Sequence, residues 1–241
     1  MLRVVDAIKE TWHDDLVAHP ETHAWVLSLY RAGELHPELV SDYFPAWAAD
    51  DPALAQQIEA HARDEAKHVR LYDSAIARLG VPRTDFDGLD VFNVAIRRET
   101  PVGFDVREAD TDATSRRERL AHFLAHAHFL ERRVVRSLDY HLAACARAGR
   151  REVERVVEHV AADEERHVAY TLAAVRELLP RQAALDVLAT HERAEARANL
   201  AFSARQVRGF LRKFGGLVGR RHALVYRVSA SMMEVARARL V

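Results

Sequence analysis

Two short segments of the chain carry the same pattern of acidic and histidine side chains. They read ARDEAKHV at 62–69 and AADEERHV at 161–168, an offset of 99 residues. Each contains one Glu-x-x-His pair, Glu65 with His68 in the first segment and Glu164 with His167 in the second. On an α-helix, residues three positions apart lie on one face, with Cβ atoms about 5–6 Å apart. A carboxylate and an imidazole so placed can bind one metal ion together, so the repeat predicts two metal-binding half-sites.

The alternative interpretation is that both pairs lie on solvated helix faces of a chain that contains 14 histidines. The apolar pattern argues against it, because Ile58 and Val69 fall on the helix face that carries the first pair. Two further histidines, His61 and His159, flank the repeated segments, and we expect them to be exposed or structural. The repeated pairs are therefore the candidate ligands.

A site of this kind needs one further carboxylate from each of two other helices. In the second half of the chain, Glu131 lies 33 residues before Glu164, and the expected turn is nearly midway between them. An antiparallel hairpin would bring these two glutamates to one level. In the first half, the same count identifies Glu34, which lies 31 residues before Glu65.

Two other glutamates stay open as the ligand from the first helix. Glu38 lies on almost the same face as Glu34 and one turn along, and Glu21 is the second alternative. Pro37 weakens the helix close to the position where the ligand must be held. We favour Glu34.

The donor set indicates which metal would bind. Four carboxylates and two imidazoles favour iron or manganese, because oxygen donors dominate and imidazole completes the set for each ion. Zinc sites usually contain fewer carboxylates, and magnesium or calcium sites rarely include histidine. Two divalent ions would also neutralise the repulsion among four buried carboxylates.

The elements that must position these ligands are helices. Strand signals are nearly absent, and apolar residues recur at three- and four-residue spacing. The predicted helices cover about 3–17, 21–49, 53–79, 91–98, 115–147, 150–178, 181–213 and 220–239. The second of these is interrupted by Pro37, and an end near Pro45 stays open as an alternative. Asp51 followed by Pro52 is typical of a helix start.

The fold class that follows is all-α. The four long central helices form two tight hairpins, and the irregular segment 82–114 is the long crossover of a four-helix bundle. One helix precedes the bundle and two follow it. We expect a single domain over residues 1–241, with the bundle core at 21–178 and a helical extension at 181–241.

The constellation resembles the ferritin-like di-iron carboxylate superfamily. The resemblance covers residues 21–178 and rests on Glu34, Glu65, His68, Glu131, Glu164 and His167. It implies two iron ions bridged by Glu65 and Glu164, one completed by Glu34 and His68 and the other by Glu131 and His167. It also implies that Asp64 and Asp163 each accept a hydrogen bond from the opposite histidine and fix its tautomer. Mn/Fe and Mn/Mn pairs fit the same ligands.

The leading functional hypothesis is a di-iron oxidoreductase that uses dioxygen or peroxide to oxidise, by hydroxylation, a small organic substrate. The nearest general resemblance is to monooxygenase-like hydroxylases, including those that act on modified tRNA, and to bacterial ferritin-like domains. An external electron donor would be required. One alternative is an iron-handling or peroxide-scavenging protein of the ferritin or rubrerythrin kind. The other is a non-enzymatic helical interaction module with a structural metal site.

Composition excludes several other classes of protein. The chain has 35 basic and 36 acidic residues, a formal net charge of −1, which excludes a uniformly basic nucleic-acid coat. Its single cysteine, Cys145, excludes an internal disulfide and a thiolate zinc cage. No segment approaches the roughly 18 apolar residues that span a bilayer. The expectation is a cytoplasmic protein without a transmembrane segment.

Basic side chains are concentrated at the C-terminal end. Residues 205–241 contain nine Lys or Arg residues and one acidic residue, Glu234. This surface either packs on the bundle or on another subunit, or it docks an anionic partner such as a carrier protein or RNA. A homodimer is compatible with the sequence.

Overall fold

The computed structural model describes residues 2–35, 44–86, 91–103 and 112–240. Within these ranges the chain forms eight α-helices and no β-strand, which confirms the all-α prediction. The helices are α1 (Leu2–Ala18), α2 (Pro20–Leu35), α3 (Pro52–Arg78), α4 (Phe92–Glu99), α5 (Ala113–Arg147), α6 (Arg151–Leu178), α7 (Arg181–Phe214) and α8 (Arg220–Ala238). No helix in this part of the chain combines the length and apolar composition needed to cross a membrane.

The helix ends follow from local sequence signals. The Asp51 side chain accepts a hydrogen bond from the Ala53 amide, and Pro52 occupies the first turn of α3. Gly80 follows α3 with a φ of 70°, and Gly149 follows α5 with a φ of 66°. This left-handed conformation favours glycine at both turns.

Seven of the eight predicted helices agree with the structure to within two residues at each end. The exception is the helical region predicted at 21–49: the described α-helix ends at Leu35, and residues 44–49 are not α-helical, in keeping with the alternative end near Pro45. Only a 3-10 turn, Ala46–Ala48, forms there, and Pro45 before it has no amide hydrogen to continue an α-helix. Residues 36–43 lie outside the described residues.

The long helices pair as two antiparallel hairpins. In the first, α2 packs against α3, and the Arg31 Nε atom lies 2.6 Å from the Asp73 carboxylate. In the second, α5 packs against α6, and His128 Nδ1 lies 3.1 Å from the carbonyl oxygen of Val168. Each helix therefore presents one face to its neighbour along most of its length.

Contacts between the two hairpins show how the segment that joins α3 to α5 must run. On α3 and α6, His61 contacts Tyr170 while His68 contacts Asp163, so these two helices are antiparallel. Because α5 and α6 are also antiparallel, α3 and α5 run in the same direction. The chain between them must lead from one end of the four helices to the other, and α4 lies within this connection.

The terminal helices cover one side of the hairpins through an aromatic cluster. The Trp12 ring lies 4.7 Å from the Phe210 ring and 4.9 Å from the Tyr226 ring, measured between centroids. Trp25 of α2 also contacts Phe210, at 5.4 Å. Thus α7 and α8 pack on α1 and α2, which encloses space beside the four central helices.

Candidate metal centre

The predicted ligands converge between two apolar clusters of the bundle. On α3, Ile58 belongs to one cluster and Ile76 to the other, and the Glu65–His68 pair lies between them. His68, Glu164 and His167 are at most 2 % exposed, and Glu65 and Glu131 are also buried. The central level of the bundle is therefore acidic and enclosed by apolar layers.

The Glu34–His68–Glu164 contacts join three helices. His68 Nδ1 lies 3.6 Å from Glu34 Oε2 and 3.3 Å from Glu164 Oε1. The other oxygen of Glu164 lies 3.0 Å from His167 Nδ1, which is itself 3.8 Å from Glu65 Oε1. The two repeated pairs thus face each other across the bundle.

His61 is buried in the same cluster, so of the two expectations for it, exposed or structural, the first is wrong. It is 1 % exposed, and its Nε2 atom lies 3.2 Å from Glu65 Oε1 and 3.7 Å from Glu131 Oε1. Its position could be found from spacing alone, because residues 61, 65 and 68 share one helix face. The other flanking histidine, His159, is 54 % exposed, as expected.

These side chains form two groups of donors that could hold a metal ion. In each group, one ligand atom from every member lies within 4.8 Å of the others. The first group is Glu34, Glu65, His68 and Glu164, and the second is His61, Glu65 and His167. Glu65 belongs to both groups, so the two candidate positions are adjacent.

Unsatisfied polar atoms support metal binding at this point. Four buried atoms of the cluster lack a hydrogen bond within the described part of the chain: His61 Nε2, Glu65 Oε1, His68 Nδ1 and Glu164 Oε1. Buried polar atoms without partners are costly. Nitrogen and oxygen lone pairs that converge in this way fit a divalent cation, so the residues present suit the group that the sequence predicts.

Each of the three histidines is held from outside by its other nitrogen. His68 Nε2 lies 3.2 Å from Asp163 Oδ2, and His167 Nε2 lies 3.4 Å from Asp64 Oδ2. His61 Nδ1 lies 2.8 Å from the Tyr170 hydroxyl. Outer partners of this kind fix the tautomer and direct the free nitrogen inward. The aspartates contact the opposite histidines, as the resemblance implies, while their role toward a metal stays a prediction.

Two cations join the outer aspartates. Lys67 Nζ lies 3.0 Å from Asp64 Oδ1 and 2.6 Å from Asp163 Oδ2, and Arg166 also contacts both carboxylates. Sequence reasoning missed this network. Its signal is present in the repeat, because Lys67 and Arg166 both stand three residues after the repeated aspartate. These contacts lower the pKa of Asp64 and of Asp163, although burial acts in the opposite direction.

Burial and interactions within the cluster shift the pKa values of three of its carboxyls. Burial, followed by the neighbouring Glu65, raises the pKa of Glu34 well above its ordinary value. Burial and Glu164 raise the pKa of Glu131 in the same way. Burial also opposes ionisation of Glu65, but interactions with Glu34 and His61 outweigh it and lower that pKa to about 2. The raised pKa values of Glu34 and Glu131 favour proton uptake by these two carboxyls, which would reduce the negative charge of the cluster.

A cavity of about 310 Å³ reaches the centre from one side. Three of the candidate ligands, Glu34, Glu65 and Glu131, form part of its wall. The rest of the wall is mostly apolar and includes Trp12, Trp25, Tyr30, Leu130, Val134 and Phe202. The terminal helices α1, α7 and α8 complete the enclosure, so the cavity is a product of tertiary packing.

The alternatives for the α2 ligand differ in position. Glu21 is exposed and takes no part in the cluster, whereas Glu34 contacts His68. Glu38 lies outside the described residues.

One further side chain lies at the cluster. Tyr72 is fully buried one turn beyond His68, and its hydroxyl has no hydrogen-bond partner among the described residues.

Comparison of the chain with protein-family models, with curated proteins and with solved structures found no match. The candidate function therefore rests on the geometry of the site.

Proposed function

We propose that this protein is a ferritin-like di-iron oxidoreductase that uses dioxygen or peroxide to hydroxylate a small organic substrate. The observation that carries the proposal is the apolar cavity whose wall contains Glu34, Glu65 and Glu131. A molecule in this cavity would lie directly beside the metal ligands. An external electron donor would complete the reaction.

The resemblance to the ferritin-like superfamily divides the ligands between two ions. Glu34 and His68 would hold one ion and Glu131 and His167 the other, with Glu65 and Glu164 shared between them; the contacts of His68 and His167 with Glu164 support this division. His61 would add a third imidazole to the half that contains His167. Bound iron would supply the electrons that reduce dioxygen or peroxide.

The chain's own residues would perform the remaining tasks. Asp64, Asp163 and Tyr170 would hold the three imidazoles in one tautomer. The aromatic wall of the cavity, which includes Trp12 and Trp25, would exclude water from the substrate side and hold an apolar molecule against the carboxylates. Fixing the imidazole tautomers, excluding water and holding an apolar molecule are the tasks that a protein performs when it oxidises an organic substrate.

The cavity also separates this proposal from the two alternatives. An iron-storage or peroxide-scavenging protein acts on small inorganic species and needs no apolar cavity of about 310 Å³. A structural metal site needs closed coordination without access to a cavity. Both alternatives would leave the position of Glu34, Glu65 and Glu131 in the cavity wall without a use.

The first test is metal loading. The chain is loaded with Fe(II) without oxygen and then exposed to air, while iron content and the near-ultraviolet spectrum are recorded. We expect about two irons per chain, by the two groups of donors, and an absorption band of a ferric pair. Glu65→Ala with Glu164→Ala should abolish both signals.

A matched control carries Glu59→Ala with Glu165→Ala, two exposed glutamates on the same helices. It should bind iron like the original chain, and circular dichroism should show that both double variants remain helical. Iron content at or below one ion per chain that is unaffected by the Glu65 and Glu164 substitutions would refute the di-iron proposal.

A further inference from the structure

The cavity has two chemically different ends. It follows α5 from Glu131 to Tyr140, a distance of about 13 Å at 1.5 Å per residue. The carboxylates of its wall, Glu34, Glu65 and Glu131, lie together at the Glu131 end, with Arg133 next to them on the helix. Two further cations lie toward the other end, Arg136 on α5 and Lys9 beside Tyr140.

Two of these cations have no close carboxylate. Arg133 is paired, with its Nε atom 2.6 Å from Glu195 Oε1. Lys9 Nζ lies 5.2 Å above the ring of Tyr140, and neither Lys9 nor Arg136 has a carboxylate within 4 Å in the described part of the chain. Both side chains are therefore available to an anion at this end of the cavity.

The acidic groups near this end lie outside the cavity wall. Asp6 accepts a hydrogen bond of 2.7 Å from the Tyr140 hydroxyl, and Glu195 is engaged by Arg133. Glu10 is exposed on α1. Burial and the nearby Arg133 lower the pKa of Lys9, which means that its positive charge is incompletely compensated. A bound carboxylate would supply that compensation.

We propose that the substrate is a monocarboxylate with an apolar body, bound with its carboxylate at Lys9 and Arg136 and its apolar end toward Glu131. The basic end attracts the carboxylate and the apolar wall accommodates the rest of the molecule, so the molecule has one favoured orientation. The wall between the ends, with Tyr30, Leu130 and Val134, suits an alkyl or aryl-alkyl chain. This inference rests on the proposed function, since it names the substrate class of the same site.

The orientation of the bound molecule determines which of its carbon atoms lies near the metal ligands. The carbon to be oxidised would be remote from the carboxylate, because Arg136 stands five residues after Glu131, about 7.5 Å along the helix, and Lys9 lies beside Tyr140, farther still. Recognition by a lysine and an arginine also favours a carboxylate over a neutral alcohol of the same length, since hydrogen bonds to charged groups are the stronger kind.

The test uses binding to the full chain without added metal. Trp12 and Trp25 line the cavity, so their fluorescence reports occupancy. Decanoate, decanol and decylamine are titrated against the original chain, Lys9→Met with Arg136→Met, and the control Arg132→Met. Arg132 lies on the same helix but pairs with Glu192 outside this wall.

We expect decanoate to bind at least about tenfold more tightly than decanol or decylamine. The Lys9/Arg136 double variant should lose that preference while still binding decanol, which shows that the cavity is intact. Arg132→Met should retain the preference. Equal affinity for decanoate and decanol in the original chain, or an unchanged preference in the double variant, would overturn the proposal.

The same titration after iron loading separates this proposal from the function on which it rests. Selective binding of decanoate without a ferric band would support the carboxylate site and refute the oxidoreductase proposal. A ferric band without selectivity for decanoate would support the oxidoreductase proposal and refute a monocarboxylate as its substrate.

Discussion

The imidazole of His61 stacks on that of His167, with ring centroids 3.6 Å apart and 22° between the planes. Both rings also point one nitrogen toward Glu65, at 3.2 Å from His61 and 3.8 Å from His167. Two stacked imidazoles directed at one carboxylate make the two halves of the centre chemically unequal. One half offers a single imidazole and the other offers two.

The first prediction concerns this extra imidazole. His61→Ala should weaken the binding of one ion by at least the roughly 10–100-fold typical of lost outer partners, and the ion held by His68 should remain. Iron per chain after dialysis against a weak chelator measures the loss. His222→Ala removes an exposed histidine of α8 that contacts Asp15 rather than the cluster, and it should leave the iron content unchanged. Equal retention by both variants would show that His61 only packs against His167.

The second prediction concerns the aspartates outside the histidines. Asp163→Asn keeps the size of the side chain but removes the negative charge that holds His68, so metal affinity should fall by about 10–100-fold. Competition with a chromophoric chelator measures the change. Asp186→Asn, an exposed site on α7, is the control. A variant at Asp163 that binds as tightly as the control would show that the aspartate does not position the ligand.

The third prediction is that metal binding releases protons. Because the pKa values of Glu34 and Glu131 are raised, both carboxyls retain protons that a cation must displace. The apparent affinity should therefore increase with pH across the neutral range. Calorimetry in buffers of different ionisation enthalpy counts the released protons. Heats that are independent of the buffer would contradict the predicted proton release.

The fourth prediction concerns acid stability and a second histidine cluster. Burial lowers the pKa of His13 to about 3 and that of His23 to about 4, and His23 Nε2 lies 3.0 Å from His141 Nε2. The folded chain binds fewer protons here than the unfolded chain, whose histidines titrate near 6.5. Their contribution to stability is thus complete above pH 6.5 and is lost as the pH falls toward 4.

At pH 5, His13 should contribute about 2 kcal/mol of destabilisation relative to pH 7.5. Urea unfolding at both pH values measures this quantity, and His13→Gln should reduce the difference between them by about that amount. His19→Gln, at a partly exposed position next to α1, should leave the difference unchanged. An identical pH dependence in both variants would show that His13 is not the source.

Local and repeating features account for what could be predicted. Asp51 and Pro52 mark the start of α3, and the repeat together with hairpin counting selects Glu34 and Glu131, which lie in the cluster. These features depend on helical periodicity and on the equal length of paired helices, both of which can be read along the chain. Whether the cluster binds iron stays a prediction.

The features that were missed depend on contacts between helices distant in sequence. The orientation of His61 is set by Tyr170, 109 residues away, and Lys67 joins aspartates from two hairpins. The cavity requires α7 and α8 to pack on α1, an arrangement that no periodicity specifies. Residues of this kind need the tertiary structure before their role can be assigned.

The crossed contacts of the aspartates have a consequence for how the molecule is built. Asp64 contacts His167 while Asp163 contacts His68, so each repeat supports the histidine of the other and neither supports its own. This reciprocity is the mark of an isologous interface, in which the same patch is used twice. Loss of either aspartate therefore acts on the histidine of the other hairpin, so the outer support of each histidine depends on the packing of both hairpins against each other.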